Sequence, residues 1–379
     1  MTLVQRTTNG IRAEIDRRRQ IIGKVVREFN VHRSSMRPAM RRETSKFIMQ
    51  EERLIAQLEN ELQAAGQGGG SIGSATPSFD SRNLRVKGFS MQPIRSRDGI
   101  RRLFADVAAV EQQNPASTRT TVRAFVRREL VEGIRGNPDM PYDIEAVVPV
   151  DNAMPGYSMT YFGRNSRVAD PEVFAAELES VEIISRIAQV SRRRAIERVS
   201  NAGYSISVLE NPDQSDVNRM LELYNEAYQL YTFEINSNTI RDMLNDGNVV
   251  LVARDMDGQI ASSLIAEHCV LNLEGREPIH LYELSDYATF RTDRGNGLIT
   301  AMQIEVVNIL RAIRGEEAII YAEDRAAWRA VNISSVKAGM NYCGTLPLHC
   351  LLVSDRDFDH GGQFESLNVF AVAPGGLNG

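Results

Sequence analysis

The chain has 379 residues, of which 42% are hydrophobic and 25% charged, with a formal net charge of −5. That length and apolar content suffice for two compact domains and an appendage. No apolar run approaches the roughly 20 residues needed to cross a bilayer, and the N-terminal stretch lacks a signal-peptide core, so neither a membrane span nor secretion is expected and a cytoplasmic location is. Three cysteines, Cys269, Cys343 and Cys350, make no disulfide framework and read as ordinary strand residues. Five histidines, at 32, 268, 280, 349 and 360, show no metal-ligand spacing, so no metal is expected.

Residues 1–65 read as a basic helical hairpin or coiled coil. Up to residue 66 the chain carries 13 Lys and Arg against 8 Asp and Glu, which leaves the remainder near −10. Apolar residues recur at Ile11, Ile15, Ile22, Val25 and Phe29, broken by Arg18, and again at Ile48, Ile55, Leu58, Leu62 and Ala65, broken by Glu51. The segment Arg33-Ser-Ser-Met-Arg-Pro38 favours a turn between them. Such a pair folds back on itself, or joins a second copy or another protein. Glutamates interleaved with the arginines favour a solvated face over a nucleic-acid contact.

Residues 66–81 are Gly- and Ser-rich, the composition of a flexible linker. Residues 82–202 suggest a smaller α/β domain, with a helix near Asp98–Gln112, strands near 143–150 and 157–162, and one long helix over Pro171–Asn201. Arg192-Arg-Arg194 reads as a solvated patch late in that helix. No internal repeat is visible.

From 203 onward the pattern sharpens. Ser205–Leu209 reads as a strand and Ser215–Leu230 as a helix capped by Ser215 or Asp213. Asn238–Asn245 gives a short helix closed at Gly247. Val249–Ala253, the turn at 255–258 and Ile260–Glu267 read as a hairpin. The run 279–290 is a strand, and Leu298–Leu310 has apolar residues at helical spacing. Strand Ala318–Ala322, a helix over 325–338 and a final strand pair follow. Between strand and helix lies Arg291-Thr-Asp-Arg-Gly-Asn-Gly-Leu298. There Gly295 and Gly297 let backbone N–H groups close on phosphate oxygens, the helix N-terminus adds its positive end, and Arg294 adds charge.

Arg294-Gly-Asn-Gly-Leu298 after a strand resembles the acyl-CoA-binding motif of the GNAT N-acetyltransferases. Leu284–Thr289, Asn332–Met340, Gly344-Thr-Leu346 and Gly361–Phe370 are similar to the β-lysine N-acetyltransferase branch. Asp143–Pro149 followed by Tyr157–Phe162 resembles the end of that branch's smaller N-terminal domain. The resemblance spans about 85–379 and is strongest over 203–370. It implies an α/β fold with a central mixed (α+β type) sheet flanked by helices, with 203–379 as the acyltransferase domain, and it allows a degenerate second copy over 82–202. It also implies acetyl-CoA as co-substrate and a small amine such as a diamino acid as acceptor.

On the same basis the pyrophosphate falls to Arg294, Gly295, Asn296, Gly297 and Leu298. The backbone of Tyr287 and Ala288, with Thr289 beside them, would polarise the thioester carbonyl, and Asn332 would touch the pantetheine. Glu283 and Asp286 are the candidate bases or ammonium ligands. Three residues apart on a strand, they are expected on opposite faces, and either is equally readable as a structural carboxylate capping backbone. Tyr231 and Phe233 are candidate acceptor walls, or core. Glu365 and Asn368 would complete a polar pocket, or lie on a surface strand. The family's tyrosine acid is missing: Gly339-Met340 replaces the usual Gly-aromatic pair, and Ser335 stands at the tyrosine-like position, a poor acid able to order a water. Two other functions stay open: a non-catalytic binding or assembly protein of this fold working through residues 1–65, and an acetyltransferase with a macromolecular acceptor.

Overall fold

A computed structural model describes residues 77–373 except 81, 82, 170, 188–190, 231–234, 246, 247, 274, 275, 352 and 355–363, together with 17, 18, 21, 24, 25 and 44. The expected hairpin over 1–65, apart from those six positions, and residues 66–76 of the linker lie outside the described residues. No helix among the described residues is long and apolar enough to cross a membrane.

The first stretch runs β1 (Ser78–Asp80), β2 (Arg85–Ile94), α1 (Arg97–Gln113), β3 (Arg119–Arg127), α2 (Arg128–Ile134), β4 (Asp143–Pro149) and β5 (Tyr157–Asn165). Part of the expected linker is therefore strand, since Ser78–Asp80 pairs with β2. α1 buries Ile100, Leu103, Phe104 and Val107, the i, i+3, i+4, i+7 set of one helical face. β3 escapes sequence pattern because it carries Arg119 and Arg123. It is nevertheless buried along almost its whole length, with Arg119 bonded to Glu145 in the interior.

The expected long helix over 171–201 is two helices, α3 (Pro171–Ile184) and α4 (Arg192–Asn201). The reason is local. Ser191 stands outside helical geometry and its hydroxyl accepts from Arg194 N, so a new helix starts there. Arg192–Arg194 are accordingly its first turn.

The second stretch holds β6 (Ser205–Val208), α5 (Gln214–Ala227), β7 (Tyr228–Leu230), α6 (Ser237–Asn245), β8 (Val249–Arg254), β9 (Ile260–Leu271), β10 (Ile279–Thr289), α7 (Leu298–Arg314), β11 (Ile319–Arg325), α8 (Arg329–Lys337), β12 (Met340–Leu351), β13 (Val353–Ser354) and β14 (Phe364–Val372). Asp213 is the cap of α5, accepting from Asp216 N. That helix stops three residues short of expectation because Tyr228–Leu230 pairs with β13. Alternation along β8 shows the sheet covered on both faces. Leu251 and Ala253 pack with α4 and α7, whereas Val250 and Val252 pack with α5 and α6.

Twelve strands form one mixed sheet in the order β1-β2-β3-β5-β4-β12-β14-β11-β10-β9-β8-β6. The seam is β4 against β12, where Gly344 opposes Ala146. Gly344 has φ 145°, and a Cβ there would lie 2.2 Å from the Glu145 carbonyl oxygen, so only glycine fits. Outward from the seam the two sides read alike: β4-β5-β3-β2 and β12-β14-β11-β10. Each has two antiparallel pairings followed by a parallel pair joined through a helix. This repeat of topology, absent to the eye from the sequence, sets β2-α1-β3 beside β10-α7-β11 as counterparts. The sheet also curls. A central cluster takes Phe125, Tyr161 and Val148 from one side and Leu281, Tyr321 and Leu367 from the other.

Candidate active site

β10 and β11 run parallel and paired from Leu281 opposite Ile319 to Leu284 opposite Ala322, then part. Beyond that point β10 keeps only β9, and β11 keeps β14 as far as Arg325 opposite Leu367. The parting coincides with a bulge: the two residues between Ser285 and Ala288 face one on β9, with Asp286 at φ 54°. Three hydroxyls tie the carbonyls of this irregular stretch. Tyr224 donates to Asp286 O at 3.0 Å, Tyr228 to Tyr287 O at 2.5 Å, and Ser262 to Ala288 O at 2.8 Å. Between the parted strands opens a cleft of about 630 Å³, walled by Ser285–Thr289, Glu323–Arg325, the turn before α7, and parts of α4 and α8.

The turn is built as its glycines predict. After a 3₁₀ turn at Arg291–Asp293, Gly295 takes φ 84° and Gly297 φ 81°, both left-handed. Gly297 is the N-cap of α7, and no side chain caps that helix. Its first-turn residues Leu298, Ile299 and Thr300 line the cleft, which places a helix N-terminus with an uncapped end at the opening. Arg198 holds the turn through Gly295 O at 2.8 Å, Asn296 bonds Asp293 O at 3.0 Å, and Arg294 Nε donates to Thr289 O at 3.0 Å. Arg194, Arg198, Arg294 and Lys337 make this end of the cleft basic. A Cβ on Gly295 would meet nothing within 4 Å, so the space above it is open. These features fit a pyrophosphate.

Of the acids clustered nearby, Glu323 lines the cleft, whereas the candidate base Glu283 and its neighbour Glu267 lie off the lining. Glu283 accepts from Tyr321 Oη at 2.7 Å and from Arg123 at 3.1 Å. Glu323 accepts from Tyr161 Oη at 2.9 Å and from the same arginine at 3.2 Å. Burial first, and then the Glu283 charge, pushes the Glu323 carboxyl up to about 7. Glu267, opposite Glu283 on β9, is pushed up to about 8 by burial and by the charges of Asp286 and Glu283. The expectation that Glu283 and Asp286 face opposite sides assumed unbroken alternation, which the bulge at Ser285–Ala288 interrupts. The extra residue in the bulge resets the alternation, and both charges act on Glu267. Asp324 is pushed up to about 7 by burial, against which a hydrogen bond from Ser335 works.

Tyr287, Ala288, Thr289, Arg294, Gly295, Gly297, Leu298 and Asp286 all line the cleft. Asn296 holds the turn from outside the lining. Asn332 and Ser335 are fully buried and off the lining, contrary to expectation. Asn332 clamps the entry to α8, donating to Arg325 O and Trp328 O at 2.8 Å each. Ser335 stands behind Asp324, donating to its Oδ2 at 2.5 Å. Glu365 and Asn368 are buried too, neither a surface strand nor the lining of this cleft. Glu365 is paired with Arg325, and Asn368 bridges Thr345 and Asn332. Tyr231 and Phe233 lie outside the described residues. Sequence reasoning missed Arg198, Glu323, Asp324 and, on the other side of the seam, Arg123. The run Glu323-Asp324-Arg325 was a usable signal, since charges at the carboxyl end of a parallel strand mark where such sheets bind ligands.

No family model and no curated protein matches the chain. Solved structures with partial likeness include Arabidopsis thaliana NAA60 in complex with acetyl-CoA, at 14% identity, TM-score 0.36, over 44% of this chain and 97% of that one. A ribosomal-protein-alanine N-acetyltransferase from Brucella melitensis has 21% identity and TM-score 0.34, over 44% and 98%. An N-acetyltransferase from Staphylococcus aureus has 15% identity and TM-score 0.34, over 45% and 97%. Likenesses of that extent assign no function by themselves, so the function of this chain is argued from its own residues.

Proposed function

We propose that the protein is an acyl-CoA-dependent N-acetyltransferase that moves an acetyl group from acetyl-CoA to a primary amine by direct attack. The observation that carries this reading is the coincidence of parted parallel strands with an open, glycine-capped helix N-terminus at the basic end of one cleft. A pyrophosphate at Gly295–Thr300 satisfies the first-turn amides of α7 and meets Arg194, Arg198 and Arg294. The pantetheine arm then lies between β10 and β11, where the two strands no longer pair with each other. The thioester falls beside the bulge, and backbone N–H groups near Tyr287 and Ala288 polarise its carbonyl.

The acceptor is a small cationic amine, with a diamino acid such as β-lysine the substrate the sequence resemblance favours. Glu267, Glu283 and Asp286 supply the negative field that draws an ammonium group toward the bulge. One of their carboxylates takes the ammonium proton so that the nitrogen attacks neutral.

The test is calorimetric binding of acetyl-CoA to the wild type, Gly295→Glu and Gly258→Glu. Both glycines have positive φ and open space at Cβ, so both variants carry the same backbone strain, and only Gly295 lies at the cleft. Wild-type binding should weaken by at least about 100-fold in Gly295→Glu, the scale of losing several charge-assisted contacts, and be kept in Gly258→Glu. No binding by the folded wild type, or equal binding by all three, would sink the reading.

A further inference from the structure

Asp324 is the one cleft-lining carboxyl with an orphan oxygen among the described residues. It is 2% exposed, and its Oδ1 has no hydrogen-bond partner there. Of the other acids of the wall, Glu323 meets Arg123 and Tyr161, and Asp293 meets Tyr204 and Thr292. Leaving a buried acceptor unmade costs about 1–3 kcal/mol, so the orphan needs a reason.

Proton positions around it follow from counting donors. Gln303 spends one N–H on Tyr287 Oη at 3.2 Å and the other on Ser335 Oγ at 2.9 Å, leaving its Oε1 buried and unpartnered like Asp324 Oδ1, while Tyr287 donates onward to Leu284 O. The Ser335 hydroxyl hydrogen is thereby directed to Asp324 Oδ2 at 2.5 Å. Oδ2 is then an acceptor only, and a neutral Asp324 carries its proton on Oδ1. The groups packed around the carboxyl are Tyr287 from β10, Gln303 from α7, Ser335 from α8 and, across the strand pair, Asn368 from β14. None is a cation, and the Tyr287 hydroxyl is itself pushed well above its usual range by burial. Burial therefore keeps the neutral form populated around neutral pH, with the carboxyl near 7.

We infer that Asp324 is the acid that protonates the sulfur of the departing coenzyme A, an inference that rests on the acetyltransferase reading above. In the step, the amine nitrogen bonds to the carbonyl carbon and the carbon–sulfur bond breaks with its electron pair on sulfur. The Oδ1 proton goes to that sulfur. The carboxylate left behind takes the proton shed by the new amide nitrogen, directly or through water, so the residue ends as it began. Ser335 is a positioning residue that fixes which oxygen holds the proton.

The experiment compares the full-length wild type, Asp324→Asn and Ser335→Ala. Acetyl-CoA binding is followed by calorimetry in buffers of different ionisation enthalpy, and turnover with hydroxylamine, whose nitrogen is uncharged at neutral pH. Wild type should take up a proton on binding acetyl-CoA slightly above neutral pH, because an anionic ligand beside the carboxyl further disfavours its charged form, and Asp324→Asn should not. Asp324→Asn should bind acetyl-CoA within about threefold of wild type below neutral pH and lose about 100-fold in kcat. The wild-type kcat should fall as pH rises above 7, because kcat reports the ligand-bound carboxyl, whose proton is held more tightly than in the free enzyme. In Ser335→Ala that fall should move to higher pH, since the lost bond favoured the charged form. Equal proton uptake in wild type and Asp324→Asn, or an unchanged alkaline fall of kcat in Asp324→Asn, would overturn the inference and leave the acetyltransferase reading standing. Absence of acetyl-CoA binding by wild type would overturn both.

Discussion

The crossovers β2-α1-β3 and β10-α7-β11 occupy equivalent places on either side of the seam, yet only the second has the open turn. In the first, the strands slip after Ser90 opposite Ala124 and pair again at Ile94 opposite Val126, so the sheet closes. Its helix begins at Ser96, whose hydroxyl accepts from Gly99 N at 3.2 Å, and a Cβ on Gly99 would press to 3.0 Å against Ile94. The amides that a phosphate would need are partly spent on the protein's own serine. In the second, pairing ends for good at Leu284, and a left-handed glycine replaces the capping side chain. Topology alone therefore does not make a binding site. What makes one is a strand edge and a helix end left unsatisfied side by side.

The strongest way to break this comparison is at the seam that holds the two sides together. Gly344→Val places a side chain into the Glu145 backbone at a φ unsuited to valine, and should cost about 3 kcal/mol or more in chemical denaturation. A smaller blow falls on the open crossover alone. Arg198→Ala removes the bond to Gly295 O and a cation from the phosphate end, and should weaken acetyl-CoA by about tenfold, about 1.5 kcal/mol, with little change in stability.

Glu267→Gln reads the acid cluster behind the bulge through pH. The folded state holds that carboxyl's proton up to about 8, far above the usual range, so its contribution to stability is full at acid pH and is lost as pH rises through about 8. The glutamine variant should accordingly gain at least about 1 kcal/mol over wild type near pH 8 and nothing near pH 4, measured by denaturant midpoints. The gentlest test is Ser96→Ala in the closed crossover. It should cost about 1 kcal/mol of stability, as N-cap losses do, and leave acetyl-CoA binding unchanged. A change in that binding would mean that the two crossovers are not independent.

How much of the molecule was legible depended on whether local chemistry or distant packing decided each residue. The turn at Gly295 and Gly297 was readable because left-handed backbone leaves a glycine signature in the chain itself. Apart from β7 and β13, the order of elements from Ser205 to Val372 followed from periodicity and caps. Hidden strands were those whose burial is completed from afar, as in β3, where Arg119 is neutralised by Glu145 26 residues on. The site's polar residues failed in the same way. Asn332, Ser335 and Asn368 have the right chemistry for ligand contacts, but the asparagines spend it on each other and on the chain around α8, and Ser335 spends it on Gln303 and Asp324. Nor could spacing reveal the Asp286 bulge, because one extra residue in a strand changes every facing relation after it without altering composition.

The bridge made by Arg123 bears on how the molecule can be divided. This arginine belongs to β3, five strands away from β11 across the sheet, and it reaches Glu283, Glu323 and the Tyr321 hydroxyl by the curl of that sheet. A chain trimmed to begin near residue 203 would keep the parted strands and the open turn and lose a cation that neutralises two of its inward-facing carboxylates. The upstream half is thus a counter-ion for the downstream one, and the modularity that the sequence suggests is denied by a single shared charge.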